Sequence, residues 1–421
     1  MSTSATAADD AVGAHRTAFW VPVAQPSWLA AADRTYRTAS ARLSRADGGG
    51  PTPASVNPPL YYAYAAVAYR AAVGGDELDR LYLVQLFGVL LALATTLGAW
   101  LLAGEVLGDQ SLPKLTCAAI AGLLPMQTFI STSVTPDALM IPLWTFALWL
   151  GVRVVRRGLL RRDAVALGAV AGAAIVTKAT SYALVPAVLA ALALGWPRTR
   201  ADLRATRRET VGLAIATMLA PIMLWVGSAT ILGRAALNSV TPSSTTPKPF
   251  SVTGLLSYIW QFYLPRLPFQ SVLRPTPGLP LWQVWIREGW GTFGWIDVPL
   301  PAALYPVVAA LTAGIGLGAA TIVSRFRDRV RLAVAGYLAL ASAALLFGLH
   351  LTEYRSLIAG NGPVIQGRYA LPVVAVFGLA AGLVVTRLPA RARGSVCGVA
   401  VAGLMALQLI ALATVAKAYY A

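Results

Sequence analysis

Long uninterrupted apolar blocks are the feature of this sequence that most restricts its fold. Residues 81–107 contain one acidic side chain, Glu105, and residues 211–232 and 332–349 contain no charged side chain. A membrane-spanning helix needs about 20 mostly apolar residues, because the hydrocarbon core is about 30 Å thick. Backbone groups must pair within each segment there, which favours helices, and the blocks lack the two-residue alternation of β-barrel strands. The chain is therefore predicted to be an all-α, polytopic transmembrane protein.

The apolar blocks predict about ten spans. One apolar stretch is too long for a single span. It is therefore predicted to form two short spans, 163–178 and 181–196, with a turn around Thr177–Ser181. The loop 233–300 holds five of the twelve tryptophans and nine of the 27 prolines. Tryptophan favours the membrane–water interface, so this loop is predicted to form interfacial amphipathic helices that begin near Leu255. The predicted spans are 81–107, 112–132, 136–155, 163–178, 181–196, 210–232, 301–323, 332–352, 369–386 and 394–416.

Clusters of arginine in four short loops predict the orientation. Loops rich in positive charge face the cytoplasm, and an even number of predicted spans separates these four loops. The scheme divides the chain into an extracytoplasmic segment 1–80, membrane helices 81–232, an external loop 233–300 and membrane helices 301–421. The arginine-rich loops are 156–162, 198–208, 324–331 and 387–393.

The polar N-terminal segment conflicts with this scheme. Eighty residues must cross the membrane, yet neither a signal peptide nor an apolar span precedes them. The sequence therefore predicts that a first span is missing from this chain, through a mis-set start codon or a truncated gene.

Composition excludes some classes of function. The net charge of +17 would suggest nucleic acid in a soluble protein, but here the positive charge sits in short loops between spans, so no nucleic-acid partner is expected. Thirty arginines against four lysines indicate a high-GC bacterial genome, such as an actinobacterial one. Cys117 and Cys397 fall inside spans, and His15 and His350 lie far apart. No cofactor is evident, and the sequence leaves a requirement for a divalent metal open.

Four polar motifs fall at predicted outer ends of spans. Each has a structural interpretation: prolines and tyrosines suit a helix start at the interface, and Asp137 complements the helix dipole in a first turn. The tryptophan-rich motif could be an interfacial turn, and Arg368 with Tyr369 could anchor a span end. The motifs are NPPLYY at 57–62, TPDA at 135–138, WGTFGWID at 290–297 and QGRYALP at 366–372.

Together these motifs resemble an uncharacterised family of bacterial polytopic membrane proteins. That family is itself similar to the GT-C glycosyltransferases, which include protein O-mannosyltransferases and lipid A aminoarabinose transferases. The resemblance runs from about Asn57 to Pro372. It implies a GT-C-like fold and transfer of a sugar from a polyprenyl-phosphate carrier to an acceptor outside the cytoplasm. In such relatives a base lies in an Asp-Glu motif with a nearby histidine, whereas this chain has Asp9, Asp10 and His15 at a different spacing.

The implied reaction sets the candidate site residues. A carboxylate must accept the proton of the acceptor hydroxyl, and cations must stabilise the lipid phosphate that leaves. Asp137 and Asp10 are the predicted catalytic carboxylates, and Lys178 and Arg368 the predicted phosphate ligands. Lys178 could instead only snorkel from a helix end. The residues predicted to line the lipid or sugar groove are Tyr61, Tyr62, Trp290 and Trp295.

The predicted function is that of a GT-C-type hexosyl or pentosyl transferase in the bacterial inner (plasma) membrane. Its partners would be a polyprenyl-phosphate donor and an envelope glycan or glycoprotein acceptor. The alternative is a non-enzyme: a transporter, a flippase or an assembly factor for envelope glycans. An inactive remnant of the fold is a third interpretation.

Overall fold

The computed structural model describes residues 57–75, 77–233, 248–274, 278–294 and 296–420. Most of the predicted N-terminal extracytoplasmic segment lies outside these residues. The candidate residues Asp10 and Trp295 also lie outside them.

Helices make up most of the described residues, and the predicted all-α fold is confirmed. One hairpin of two-residue strands interrupts them, β1 (Thr292–Phe293) and β2 (Val298–Pro299), paired antiparallel. The α-helices are α1 (Leu60–Ala71), α2 (Glu77–Leu107), α3 (Ser111–Leu123), α4 (Pro125–Ser131), α5 (Asp137–Arg157), α6 (Arg161–Ile175), α7 (Leu184–Gly195), α8 (Arg207–Ile231), α9 (Val252–Tyr263), α10 (Gly289–Gly291), α11 (Leu304–Ser324), α12 (Arg329–Ile358), α13 (Val374–Thr386) and α14 (Ala390–Tyr420). Short 3-10 helices lie at Ala179–Ala183, Trp196–Arg198, Ala201–Leu203 and Gly367–Val373, and a π-helix at Trp282–Glu288.

Eight helices of the described residues are long and apolar enough to cross a membrane. Two of the ten predicted spans are shorter helices, α3 and α6. Helix α3 stops because Leu124 is extended and Pro125 begins a new helix. The eight segments are Leu78–Leu107, Asp137–Arg157, Ala179–Arg198, Arg207–Ile231, Leu304–Ser324, Arg329–Ile358, Gly367–Thr386 and Ala390–Tyr419.

Helix α5 lies at the centre of the bundle and α11 at its periphery. In the most apolar 18-residue window of each helix, 72% of the residues are buried in α5 but only 6% in α11. Small residues bring α6 and α8 into close contact, since a Cβ at Gly168 would lie 2.0 Å from the Ala214 carbonyl oxygen. Across the same interface, Thr217 Oγ1 donates to the Val165 carbonyl at 3.1 Å. Close packing and hydrogen bonds of this kind hold membrane helices together, because the hydrophobic effect does not drive helices to associate within lipid.

The four arginine-rich loops meet at one end of the helix bundle. Helix α5 runs from Asp137 to Arg157, so its first residue lies at the opposite end, and so does the Gly367–Val373 segment that precedes α13. This grouping agrees with one cytoplasmic side for all four loops, which stays a prediction. Contacts among these loops and the neighbouring helix ends join Arg157 to Glu105, Arg198 to the Arg329 carbonyl at 3.5 Å, and Arg393 to Gln110 at 3.3 Å.

The orientation can be tested by labelling single cysteines from outside intact cells. In a background without Cys117 and Cys397, we expect a cysteine at the exposed Phe269 to react with an impermeant maleimide. A cysteine at the exposed Arg204 should react only after the cells are opened. Reaction at Arg204 but not at Phe269 in intact cells would reverse the proposed orientation.

Candidate functional site

Asp137 and Lys178, both predicted site residues, form an ion pair in which Asp137 is buried and Lys178 is part-buried. Asp137 opens α5, where its carboxylate faces the positive end of the helix dipole, and it is 1% exposed. Lys178 follows α6 in an extended conformation, φ −156° and ψ 135°. Its Nζ donates to both carboxylate oxygens, at 2.7 Å and 2.8 Å. The pairing fixes the turn after α6 against the start of α5.

A single tyrosine ring lies beside both predicted phosphate ligands. Lys178 Nζ is 4.5 Å from the centroid of Tyr369, and Arg368 Cζ is 5.3 Å from the same centroid. A cation at this distance from an aromatic ring is attracted by the ring quadrupole. Both distances are measured to the Tyr369 centroid, so the charges of Lys178 and Arg368 lie no farther apart than the sum of the two distances. The structure thus brings together Asp137, Lys178 and Arg368.

The Arg368 side chain is only partly satisfied. Its Nε–H is buried and has no hydrogen-bond partner among the described residues. Buried N–H groups are rarely left unpaired in native proteins, because each such group costs about 1–3 kcal/mol. The guanidinium therefore has unused hydrogen-bonding capacity beside Tyr369.

The NPPLYY motif packs against the same end of the bundle. The backbone N–H of Leu60 donates to the Val176 carbonyl at 3.2 Å, two residues before Lys178. Tyr61 is 2% exposed and hydrogen-bonds to the backbone of Thr135, two residues before Asp137. Burial raises the pKa of Tyr61 to about 12, so its hydroxyl stays protonated at neutral pH.

Two buried glutamates hold the loop that carries Arg368. Glu353 is fully buried and accepts from the backbone N–H groups of Val364 and Ile365 at 3.0 Å and 2.6 Å. It also pairs with Arg274 Nη1 at 2.9 Å. The resulting cluster fixes the approach of the chain to Gly367 and Arg368.

Gly367 permits the close contact that completes this anchor. Its N–H donates to Glu288 Oε2 at 3.0 Å, and burial raises the pKa of Glu288 above its ordinary value. A Cβ at Gly367 would lie 2.2 Å from the Gly289 nitrogen, so a larger residue would displace the backbone. The π-helix Trp282–Glu288 therefore packs directly under the residue that precedes Arg368.

A directional chain of hydrogen bonds leads from Trp285 to Glu353. Tyr258 donates its single proton to Glu353 Oε1 at 2.8 Å, so at 3.0 Å it must accept from His350 Nδ1. The neutral ring then accepts at Nε2 from the Tyr263 hydroxyl at 2.8 Å. Tyr263 in turn accepts from Trp285 Nε1 at 3.3 Å. This assignment gives every group in the chain a partner and fixes the tautomer of His350.

Comparison with known families classifies the chain. The family described as "Predicted membrane protein (DUF2142)" matches residues 24–377. The chain belongs to this family. The expected resemblance to an uncharacterised membrane-protein family is confirmed, and the chain is a multi-pass membrane protein. No curated protein is significantly similar to it in sequence.

Two solved structures resemble this DUF2142 protein. ArnT from Cupriavidus metallidurans in the apo state is 18% identical, over 86% of this chain and 52% of that chain, with a TM-score of 0.45. ArnT from the same organism bound to undecaprenyl phosphate is 19% identical, over 86% and 53% of the two chains, also with a TM-score of 0.45. The chain spans about half the length of these structures.

Trp290 of this DUF2142 protein makes its side-chain contacts with α11 and α13. It is 8% exposed, its indole N–H donates to Thr312 Oγ1 at 3.1 Å, and its ring packs edge-on against Phe377. These contacts fit packing between helices better than lining a groove.

Tyr62 is half-buried and stacks edge-on against Tyr61 at 5.6 Å. Among the described residues, no three histidine, cysteine or acidic side chains are grouped as metal ligands would be.

Proposed function

We propose that this protein binds a polyprenyl-phosphate sugar beside Tyr369 and transfers the sugar to an extracytoplasmic envelope acceptor. The observation that carries the proposal is the pair of cations, Lys178 and Arg368, on one aromatic ring. Arg368 has an unused N–H group, and a phosphate oxygen is a strong charge-assisted acceptor for it. The resemblance to GT-C glycosyltransferases supplies the reaction class.

The position of Lys178 and Arg368 in the bundle supports a lipid-linked donor. Lys178 and Arg368 lie at ends of apolar segments, at the end of the bundle opposite the arginine-rich loops. If those loops are cytoplasmic, the site faces the outer leaflet. A lipid phosphate reaches this depth while its prenyl chain stays in the membrane. A phosphate here would draw on two cations whose charge is only partly neutralised by Asp137.

The two lysine contacts suggest how Asp137 takes part. Both of its carboxylate oxygens accept from Lys178, which favours a positioning role for Asp137 in the absence of donor. A donor phosphate would compete with Asp137 for the ammonium, and a carboxylate so released could accept the proton of the acceptor hydroxyl. Asp10, outside the described residues, is the other proposed base.

Binding of a radiolabelled polyprenyl-phosphate sugar to the purified protein tests the proposal. The variant Arg368→Lys keeps the positive charge but loses the planar fork that contacts phosphate bidentately. We expect it to weaken donor binding by roughly tenfold, which corresponds to about 1.4 kcal/mol. The matched control is Arg266→Lys, because Arg266 contacts the Gln270 carbonyl within its own loop.

Three outcomes separate the interpretations. Weakened binding in Arg368→Lys alone, with transfer of label to envelope material by the unaltered protein, supports the transferase. Binding without any transfer would favour a transporter, flippase or assembly factor. Unchanged binding in a well-folded Arg368→Lys variant would reduce Arg368 to an interfacial anchor.

A further inference from the structure

A cavity lies at the arginine-rich end of the bundle, the end opposite the proposed donor site. Its volume is about 820 Å³, within the range of about 300–1,000 Å³ that is typical of small-molecule sites. Helices α11, α12 and α13 line it, and the end of α2 contributes to the rim. Because α11 is almost wholly exposed, one wall of this cavity is a helix that faces the membrane.

The walls of the cavity are apolar and built around small residues. Alanines from three different helices line it, so that space remains where larger side chains would close the gap between the helices. Space of this shape, bounded by aliphatic groups within membrane helices, accommodates a hydrocarbon chain rather than a soluble ligand. The alanines include Ala319 and Ala320 on α11, Ala335 and Ala339 on α12, and Ala380 on α13.

The mouth of the cavity is strongly cationic. Four arginines and a single acid, Asp328, contribute to the lining. Two of the arginines are committed elsewhere: Arg393 donates to the Thr386 and Leu388 carbonyls, and Arg156 lies beside Glu105. The other two, Arg331 and Arg387, remain available to a ligand.

Arg331 and Arg387 have weak or no ionic partners among the described residues. Arg331 approaches Asp328 at 3.9 Å, and both side chains are more than half exposed, so this pair contributes little. The structure gives the exposed Arg387 side chain no hydrogen bond or ion pair with another described residue. Two available guanidinium groups thus line the same cavity as the apolar side chains of α11, α12 and α13.

We propose that this cavity binds one anionic glycerophospholipid of the cytoplasmic leaflet. Its phosphate would contact Arg331 and Arg387, and an acyl chain would lie between α11 and α13 against the alanines. Charge complementarity at the mouth and the apolar walls together select a lipid anion over a soluble one. Anionic lipids are attracted to basic residues at the cytoplasmic surface by about 1 kcal/mol per residue. This site is independent of the polyprenyl-phosphate donor site.

The test is lipid-dependent stabilisation of the delipidated full chain in detergent. We expect phosphatidylglycerol to raise the melting temperature, and phosphatidylcholine and inorganic phosphate to have little effect. The double variant Arg331→Gln, Arg387→Gln should bind phosphatidylglycerol at least about tenfold more weakly. The matched control is Arg325→Gln, Arg391→Gln, which removes two exposed arginines of the same loops that do not line the cavity.

A second variant tests the apolar half of the site. Ala380→Leu should reduce the phosphatidylglycerol effect by filling the space for the acyl chain, without changing the charge. Equal stabilisation by phosphatidylcholine would overturn the preference for anionic lipids. Stabilisation by inorganic phosphate alone would identify a soluble-anion site instead. If the arginine double variant responds like its control, the lipid binds elsewhere or another segment of this chain occupies the cavity.

Discussion

Replacing Glu353 by alanine is expected to lower the free energy of unfolding by about 3–5 kcal/mol. The substitution leaves Arg274 buried without its carboxylate partner, and the two N–H groups of Val364 and Ile365 lose their acceptor. Arg274 is only 7% exposed at its side chain, so water cannot compensate. Thermal or chemical unfolding in detergent is the measurement.

Two further variants provide comparisons for the stability of Glu353→Ala. Glu353→Gln keeps the shape and one acceptor oxygen but loses the charge, so its effect should lie between those of the parent and Glu353→Ala. Glu209→Gln removes an exposed carboxylate that pairs with Arg161, and should change stability by less than about 1 kcal/mol. A Glu353→Ala variant as stable as Glu209→Gln would show that the buried cluster is not an anchor.

Breaking the Asp137–Lys178 pair from either side is expected to cost a similar amount. Lys178→Met leaves the buried carboxylate of Asp137 unpaired, and Asp137→Asn leaves the part-buried ammonium of Lys178 unpaired. Each change is expected to cost up to about 3–5 kcal/mol. The double variant removes both charges and should recover most of the stability lost in the single variants. A double-mutant cycle of unfolding measurements gives the coupling energy directly.

The same double variant separates stability from donor binding. If Lys178 contacts the donor phosphate, a stable double variant still binds the radiolabelled donor more weakly than the parent. Recovery of both stability and binding would assign Lys178 a structural role alone. Additive losses in the two single variants would instead mean that the two charges act independently of each other.

Local sequence patterns predicted the helices because membrane insertion depends on local composition. A run of about 20 apolar residues is enough to predict a span, and arginine clusters predict a common side. The turn near Lys178 followed from the same charge argument. Helix α3 is shorter than expected because one proline, Pro125, divides an apolar block whose average composition conceals the break.

Lateral contacts between distant segments could not be predicted in this way. Asp137 and Lys178 were both identified as candidates, but their pairing depends on how α5 and α6 pack, 41 residues apart in sequence. Glu353 lies in none of the four polar motifs that predict the site. Its role requires Arg274, 79 residues away, and a loop that follows its own helix. No periodicity or spacing in a single sequence reports such contacts.

The packing of Gly367 against the π-helix restricts how this protein can be rebuilt. The Trp282–Glu288 segment would be an obvious part to exchange between homologues when engineering a new specificity, since it belongs to a long connection between spans. Yet Glu288 and Gly289 touch the backbone of Gly367, one residue before Arg368. A chimera that transplants this connection must therefore carry the QGRY loop with it, because the two segments form a single interchangeable unit.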